Sequence, residues 1–141
     1  MIRRAFACLP FLACLALAAP APAFSGATVR GSSVSTSYGA RFLLVRVVCP
    51  PRTQSTPRPG DFSFCTGTGR FFIGRREVAA GPFSVRTYDS HIEKMTVRRS
   101  ARPLLRPGRR PRVSWVLRSH DGQGQWMTRS GAFTVYNPFG P

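Results

Sequence analysis

After residue 23 no window of twelve residues keeps apolar side chains at the 3.6-residue period of a helix, while runs of strict apolar alternation recur to the end of the chain. A side-chain period of two puts every second residue on one face of a strand, so these runs read as strands with one buried face. Thirteen glycines and thirteen prolines among 141 residues punctuate them, a density suited to short strands and turns rather than long helices. The chain is read as all-β.

The strands can be placed one by one. From Arg41 to Cys49, Leu43, Val45, Val47 and Cys49 line one face, and Phe42, Leu44, Arg46 and Val48 the other. Pro50 to Asp61 carries four prolines and reads as a loop. Further strands are expected at Arg70 to Arg75 with Phe71 and Ile73 inward, Pro82 to Thr87 with Phe83 and Val85 inward, and His91 to Arg99 with Met95 and Val97 inward. Pro111 to Ser119 alternates most cleanly, with Val113, Trp115 and Leu117 inward and Arg112, Ser114 and Arg118 outward. Asp121-Gly122 then supplies the positive backbone angles of a tight hairpin, and Gln125 to Tyr136 returns. Trp126 and Met127 compete for the inner face of that last strand, and the isolated Gly131 suggests a bulge beside Ser130. With an opening strand around Ala27 to Ser35, about seven strands fill residues 24–141, the count of an immunoglobulin-like β-sandwich. A barrel is the second choice.

Residues 1–23 combine a basic start at Arg3 and Arg4, an apolar stretch from Ala5 to Ala19 and a small-residue site at Ala21-Pro22-Ala23. This is the tripartite pattern of a secretory signal peptide, with cleavage expected between Ala23 and Phe24. Arg3-Arg4 leaves export by the twin-arginine route open beside the general one. Leu12-Ala13-Cys14 is a fragment of a lipoprotein box, but the apolar run continues past Cys14, which argues against lipidation there. Cleavage leaves 118 residues as one domain, and because Arg3 and Arg4 leave with the signal, 19 basic against 5 acidic residues give a net charge of +14. No apolar span or sorting motif follows in the mature chain, so neither a transmembrane segment nor covalent wall attachment is expected.

Cys8 and Cys14 leave with the signal too, so Cys49 and Cys65 remain for an oxidising compartment and are expected to form one disulfide. Two thiols sixteen residues apart lack the spacing of a four-ligand metal site.

Several short pieces resemble the small immunoglobulin-like β-domains of secreted and cell-surface proteins of high-GC Gram-positive bacteria. They are Val45-Arg46-Val47-Val48-Cys49-Pro50, Cys65-Thr66-Gly67, Met95-Thr96-Val97-Arg98, Leu104-Leu105 with its basic turn, Val113 to Leu117, and Asp121-Gly122-Gln123-Gly124. The proline-rich insert between the cysteines departs from the pattern, as does the absence of an Asn after the second glycine. The resemblance implies an extracellular adhesive or spacer module without catalytic residues. Twenty arginines against the single Lys94 agree with GC-rich coding.

Catalytic chemistry finds little to build on. The histidines of the mature chain are His91, near Asp89 in a turn-rich stretch, and His120, beside Asp121 at a hairpin where a solvated turn is expected. Neither sits in a nucleophile elbow or a zinc spacing. Asp61, Glu77, Asp89, Glu93 and Asp121 are scattered in basic surroundings that favour their ionised forms, so no acid/base pair stands out. No cofactor and no metal are expected. One feature rises above this background, the run Arg98, Arg99, Arg102, Arg106, Arg109, Arg110 and Arg112, seven arginines in fifteen residues with no acid among them. Such a patch either keeps the domain soluble and monomeric or attracts polyanions: teichoic acid, anionic lipid headgroups, lipopolysaccharide or extracellular DNA. Sequence-specific nucleic-acid reading lacks a recognition helix and a stacking platform.

The reading is therefore an exported, non-enzymatic binding or structural module of the cell envelope or exterior. Polyanion binding through Arg98–Arg112 is the first alternative and a secreted hydrolase with unrecognised residues the second. Periplasm, wall and medium all remain open as destinations.

Overall fold

A computed structural model describes residues 24–30, 35–37, 40–50, 64–106, 108–121 and 125–135. Residues 1–23, where a signal peptide is expected, residues 51–63, where a proline-rich loop is expected, residues 122–124, where a tight hairpin turn is expected, and the residues from 136 lie outside them. The elements are β1 (Thr28–Val29), β2 (Ser35–Ser37), β3 (Phe42–Val48), β4 (Phe64–Ile73), β5 (Arg76–Arg86), β6 (Ser90–Val97), a 3-10 helix (Arg99–Leu105), β7 (Arg112–His120) and β8 (Trp126–Thr134). All strand pairs are antiparallel, in the order β1-β3-β6-β5-β4-β7-β8 with β2 also on β3. The all-β expectation holds, and the opening strand is two short ones, β1 and β2.

This sheet is continuous and nearly closes on itself, β1 coming beside β8. β5 and β6 are consecutive, joined by the turn Thr87–Asp89, yet their ladder consists only of Ala79 with Val97 and Ala80 with Thr96. Toward the turn they splay, which divides the sheet into one half of β1, β2, β3 and β6 and another of β5, β4, β7 and β8. A bulge accompanies the corner: Phe71 faces Ala79 but Phe72 faces Glu77, so Val78 is the extra residue and both Val78 and Ala79 are buried. Gly81 adjoins it, and a Cβ there would lie 3.0 Å from Met95 Sδ, a close approach that only glycine makes comfortably.

Both halves turn their apolar rows to one core. Leu43, Val45, Val47, Met95 and Val97 come from the first half, and Phe71, Phe83, Val85, Val113, Trp115 and Leu117 from the second, all buried as the alternation predicts. Ile73 is only partly buried and packs against the core edge. Across the splayed end the Cys49–Cys65 disulfide ties the end of β3 to β4, with Cα atoms 5.7 Å apart. At the same end, where Thr28 faces Val48 and Ser119 faces Gly67, the N-terminal stretch closes over the core: Phe24 and Ala27 are buried, and the Ala27 N–H donates to Ser119 Oγ at 3.0 Å.

The last strand corrects one expectation and decides one point the sequence left open. β7 and β8 run in unbroken register from Arg112 opposite Thr134 to His120 opposite Trp126, so there is no bulge at Ser130-Gly131. Gly131 faces Trp115, and a Cβ there would sit 2.6 Å from the indole Cζ2. The glycine accommodates an aromatic ring, not a kink. The register also puts Met127 on the inner side, opposite Ser119, and turns Trp126 outward.

Two stability outcomes follow. Replacing Cys49 and Cys65 together with serine should lower unfolding free energy by about 3 kcal/mol in a urea titration, the value expected for so short a loop. Gly131→Val should lower it by about 1–3 kcal/mol through overpacking against Trp115, and the near-UV circular dichroism of that indole should change with it.

Candidate functional site

The arginine segment is not the plain solvated loop its charge suggests. Ala101 and Leu105, four residues apart, are both buried, anchoring the 3-10 helix to the core between β6 and β7. Pro103 lies inside it and removes one donor, which favours a short tight turn over a longer helix. The helix is entered through Arg98, whose N–H donates to the Val78 carbonyl at 2.9 Å. The guanidinium groups of Arg98, Arg99 and Arg102 are thus carried on an anchored backbone.

Their environments differ. Arg98 is drawn off the patch: its Nε donates to Glu77 Oε1 at 3.1 Å, and its Nη2 makes a second contact to the same oxygen. Arg70 holds the other carboxylate oxygen, Nε to Oε2 at 2.6 Å. The Glu77 side chain is only 13% exposed between guanidinium groups that are themselves largely in solvent. Hydrogen bonds from Arg98 and then Arg70 hold its carboxyl below its ordinary value of 4.5, against the opposing effect of burial. Arg102 is half-buried, and its Nε, shielded from solvent, has no hydrogen-bond partner among the described residues. Arg99, Arg106, Arg109, Arg110 and Arg112 are exposed. Arg109 and Arg110 rim a shallow groove of about 350 Å³ floored by Ile73, Leu104 and Pro111.

The residues weighed for catalysis are dispersed. His91 is exposed within β6, opposite Val47, rather than in a turn. His120 is no solvated turn residue either: it ends β7, is half-buried, and its ring lies 4.7 Å from that of Trp126. Asp121 is buried, and its Oδ1 accepts from the Gln125 N–H at 3.2 Å, fixing the base of the hairpin. Asp89 Oδ1 accepts from the Ser90 N–H, and Glu93 is half-buried in β6 opposite Val45. Among the described residues no three His, Cys, Asp or Glu side chains gather into a group that could hold a metal.

Two features escape sequence reading. The Glu77 clamp joins β4, β5 and the entry to the helix, partners 7 and 21 residues away from it, and no local motif announces it. The outward stack of Trp126 depended on a register that the glycine obscured. No family model matches the chain, and neither a curated protein nor a solved structure does so.

Because its folded-state pKa is depressed, Glu77 contributes stability that is fully present above 4.5 and lost as pH falls through the folded value. Glu77→Gln should cost about 1 kcal/mol at pH 7, limited by the solvent around both arginines. Denaturant titrations of variant and parent should converge as pH is lowered below 4.5.

Proposed function

We propose that this chain is an exported, non-enzymatic β-domain of the cell envelope or exterior that binds anionic polymers through its arginine segment. One observation carries the reading: Arg99 and Arg106 stand exposed at the two ends of a helix that Ala101 and Leu105 pin to the core, the Arg109 N–H donates back to the Arg106 carbonyl, and Arg112, also exposed, opens β7. A solubilising charge needs no such anchoring, whereas a binding surface gains from it, since fixed cations lose less entropy on meeting a ligand. Glu77 takes up Arg70 and Arg98, and the segment from Arg98 to Arg112 contains no carboxylate of its own.

The secretory reading of residues 1–23 supplies the compartment, and the Cys49–Cys65 bridge is compatible with it. Teichoic acid, anionic lipid headgroups, lipopolysaccharide and extracellular DNA are then the polyanions within reach. The immunoglobulin-like sandwich, and with it the likeness to secreted domains of high-GC Gram-positive bacteria, is supported by the two half-sheets that share one core. The unbroken ladder through Ala79 and Ala80 favours the barrel reading. The dispersal of His91, His120 and the carboxylates gives the hydrolase alternative no support.

Sedimentation of residues 24–141 with envelope preparations across a salt series tests the function. Retention should fall steeply with salt as counterions are released. Changing Arg99, Arg106 and Arg109 together to Ala should flatten the log–log salt slope by roughly two to three units. Retention that ignores salt, or a slope untouched by the triple variant, would remove the arginine segment from the function.

A further inference from the structure

At the opposite end of β7 from Arg112, about 26 Å away along the strand, the outer face of the second half-sheet carries a different arrangement. Ser84, Thr66, His120 and Trp126 follow one another across β5, β4, β7 and β8 in a single cross-strand row. The neighbouring row sets Arg118 opposite Thr128. Trp126 is 55% exposed although it is the second of only two tryptophans in the chain. The Arg118 guanidinium carbon lies 4.7 Å from its ring centroid, and the His120 ring lies 4.7 Å away at a tilt of 54°. β8 ends the sheet path, so the side of the indole turned away from β7 meets no further strand in that order.

From this juxtaposition we infer that the Trp126–Arg118–His120 face is a binding site for an acidic polysaccharide whose sugar rings carry carboxylates. Each part of the face answers one part of that ligand. The face of an indole is negative at its centre and attracts the partly positive C–H bonds on the flat side of a pyranose ring. Arg118, already oriented by its cation–π contact, presents a guanidinium fork that suits a carboxylate. Thr66 and Ser84 hydroxyls lie 3.2 Å from each other, yet each keeps capacity for a sugar hydroxyl. The row spans three strand spacings, about 14 Å, the length of a short oligosaccharide.

Charge complementarity points the same way. The described carboxylates of this half-sheet, to the residue that follows β7, are Glu77, occupied by Arg70 and Arg98, and Asp121, which is buried. The surface facing solvent around Trp126 is therefore cationic and hydroxyl-rich. A single-stranded nucleic acid stacks successive bases on successive rings, but the next exposed ring on this half, Phe64, stands two strands and one row away. A sugar chain needs only the one platform. The site shares no residue with the arginine segment and does not rest on its role.

The test titrates the exported chain with polygalacturonate, reading both retention and tryptophan emission. Emission should shift to the blue as Trp126 is dehydrated, since Trp115 is buried already. Trp126→Ala and Arg118→Ala should each weaken binding about tenfold, Trp126→Phe should retain part of it, and the methyl-esterified polymer should bind about tenfold less than the acid form. Polyphosphate, a charge without sugar rings, should bind Trp126→Ala as it binds the parent, which separates this face from the arginine segment. Unchanged melting temperatures would show that the exposed substitutions leave the fold intact. Parental affinity for polygalacturonate in both alanine variants would overturn the inference, and so would tighter binding of oligo-deoxythymidine through Trp126, which would give the face to nucleic acid.

Discussion

The corner at Ala79 and Ala80 is the constraint from which the rest of the molecule follows. A sheet of this width left open would expose its whole inner row; curled until β1 lies beside β8, it turns that row onto itself. The bend needs small residues where the ladder survives, an extra residue to redirect β5, and a glycine where Met95 approaches. Ala79, Val78 and Gly81 meet these needs within four positions. Beyond the corner the halves are held by the apolar core and, at the splayed end, by the Cys49–Cys65 bridge. Ladder and disulfide thus act at opposite ends of one structure, and the core fills the space between.

Legibility in the sequence followed how local each cause was. Inward rows such as Leu43-Val45-Val47 and Val113-Trp115-Leu117 were readable because alternation is a property of a few adjacent residues and burial enforces it. The disulfide was readable because subtraction of the signal segment left only two thiols. The bulge was misplaced: an isolated glycine marks either a kink or a close approach, and Gly131 answers to Trp115, sixteen residues earlier. The true bulge at Val78 lies in a stretch with no glycine of its own, where two consecutive residues turn inward. The short helix was missed because seven residues around a proline never show a helical period.

The candidate sites were legible to a smaller degree. A cluster of arginines can be counted, but counting does not tell which are already paired. Arg98 belongs to Glu77 because β5 brings that carboxylate to the start of the helix, a fact of topology. The same holds for Trp126, whose neighbours Arg118 and His120 are set by the register of β7 against β8. Surface chemistry on a sheet is written across strands, at right angles to the direction in which a sequence is read.

β8 has nine residues, contains neither proline nor lysine, and has no ladder partner beyond β7 among the described residues. Gly26 comes up against Met127 and Arg129, so the N-terminal stretch covers part of this edge, and the remainder is a template for further strands. Two such edges would meet against the mutual repulsion of densely cationic bodies, which reaches about 8 Å in physiological salt and shrinks as salt rises. Any pairing of this edge between copies would therefore be governed by the medium as much as by the fold.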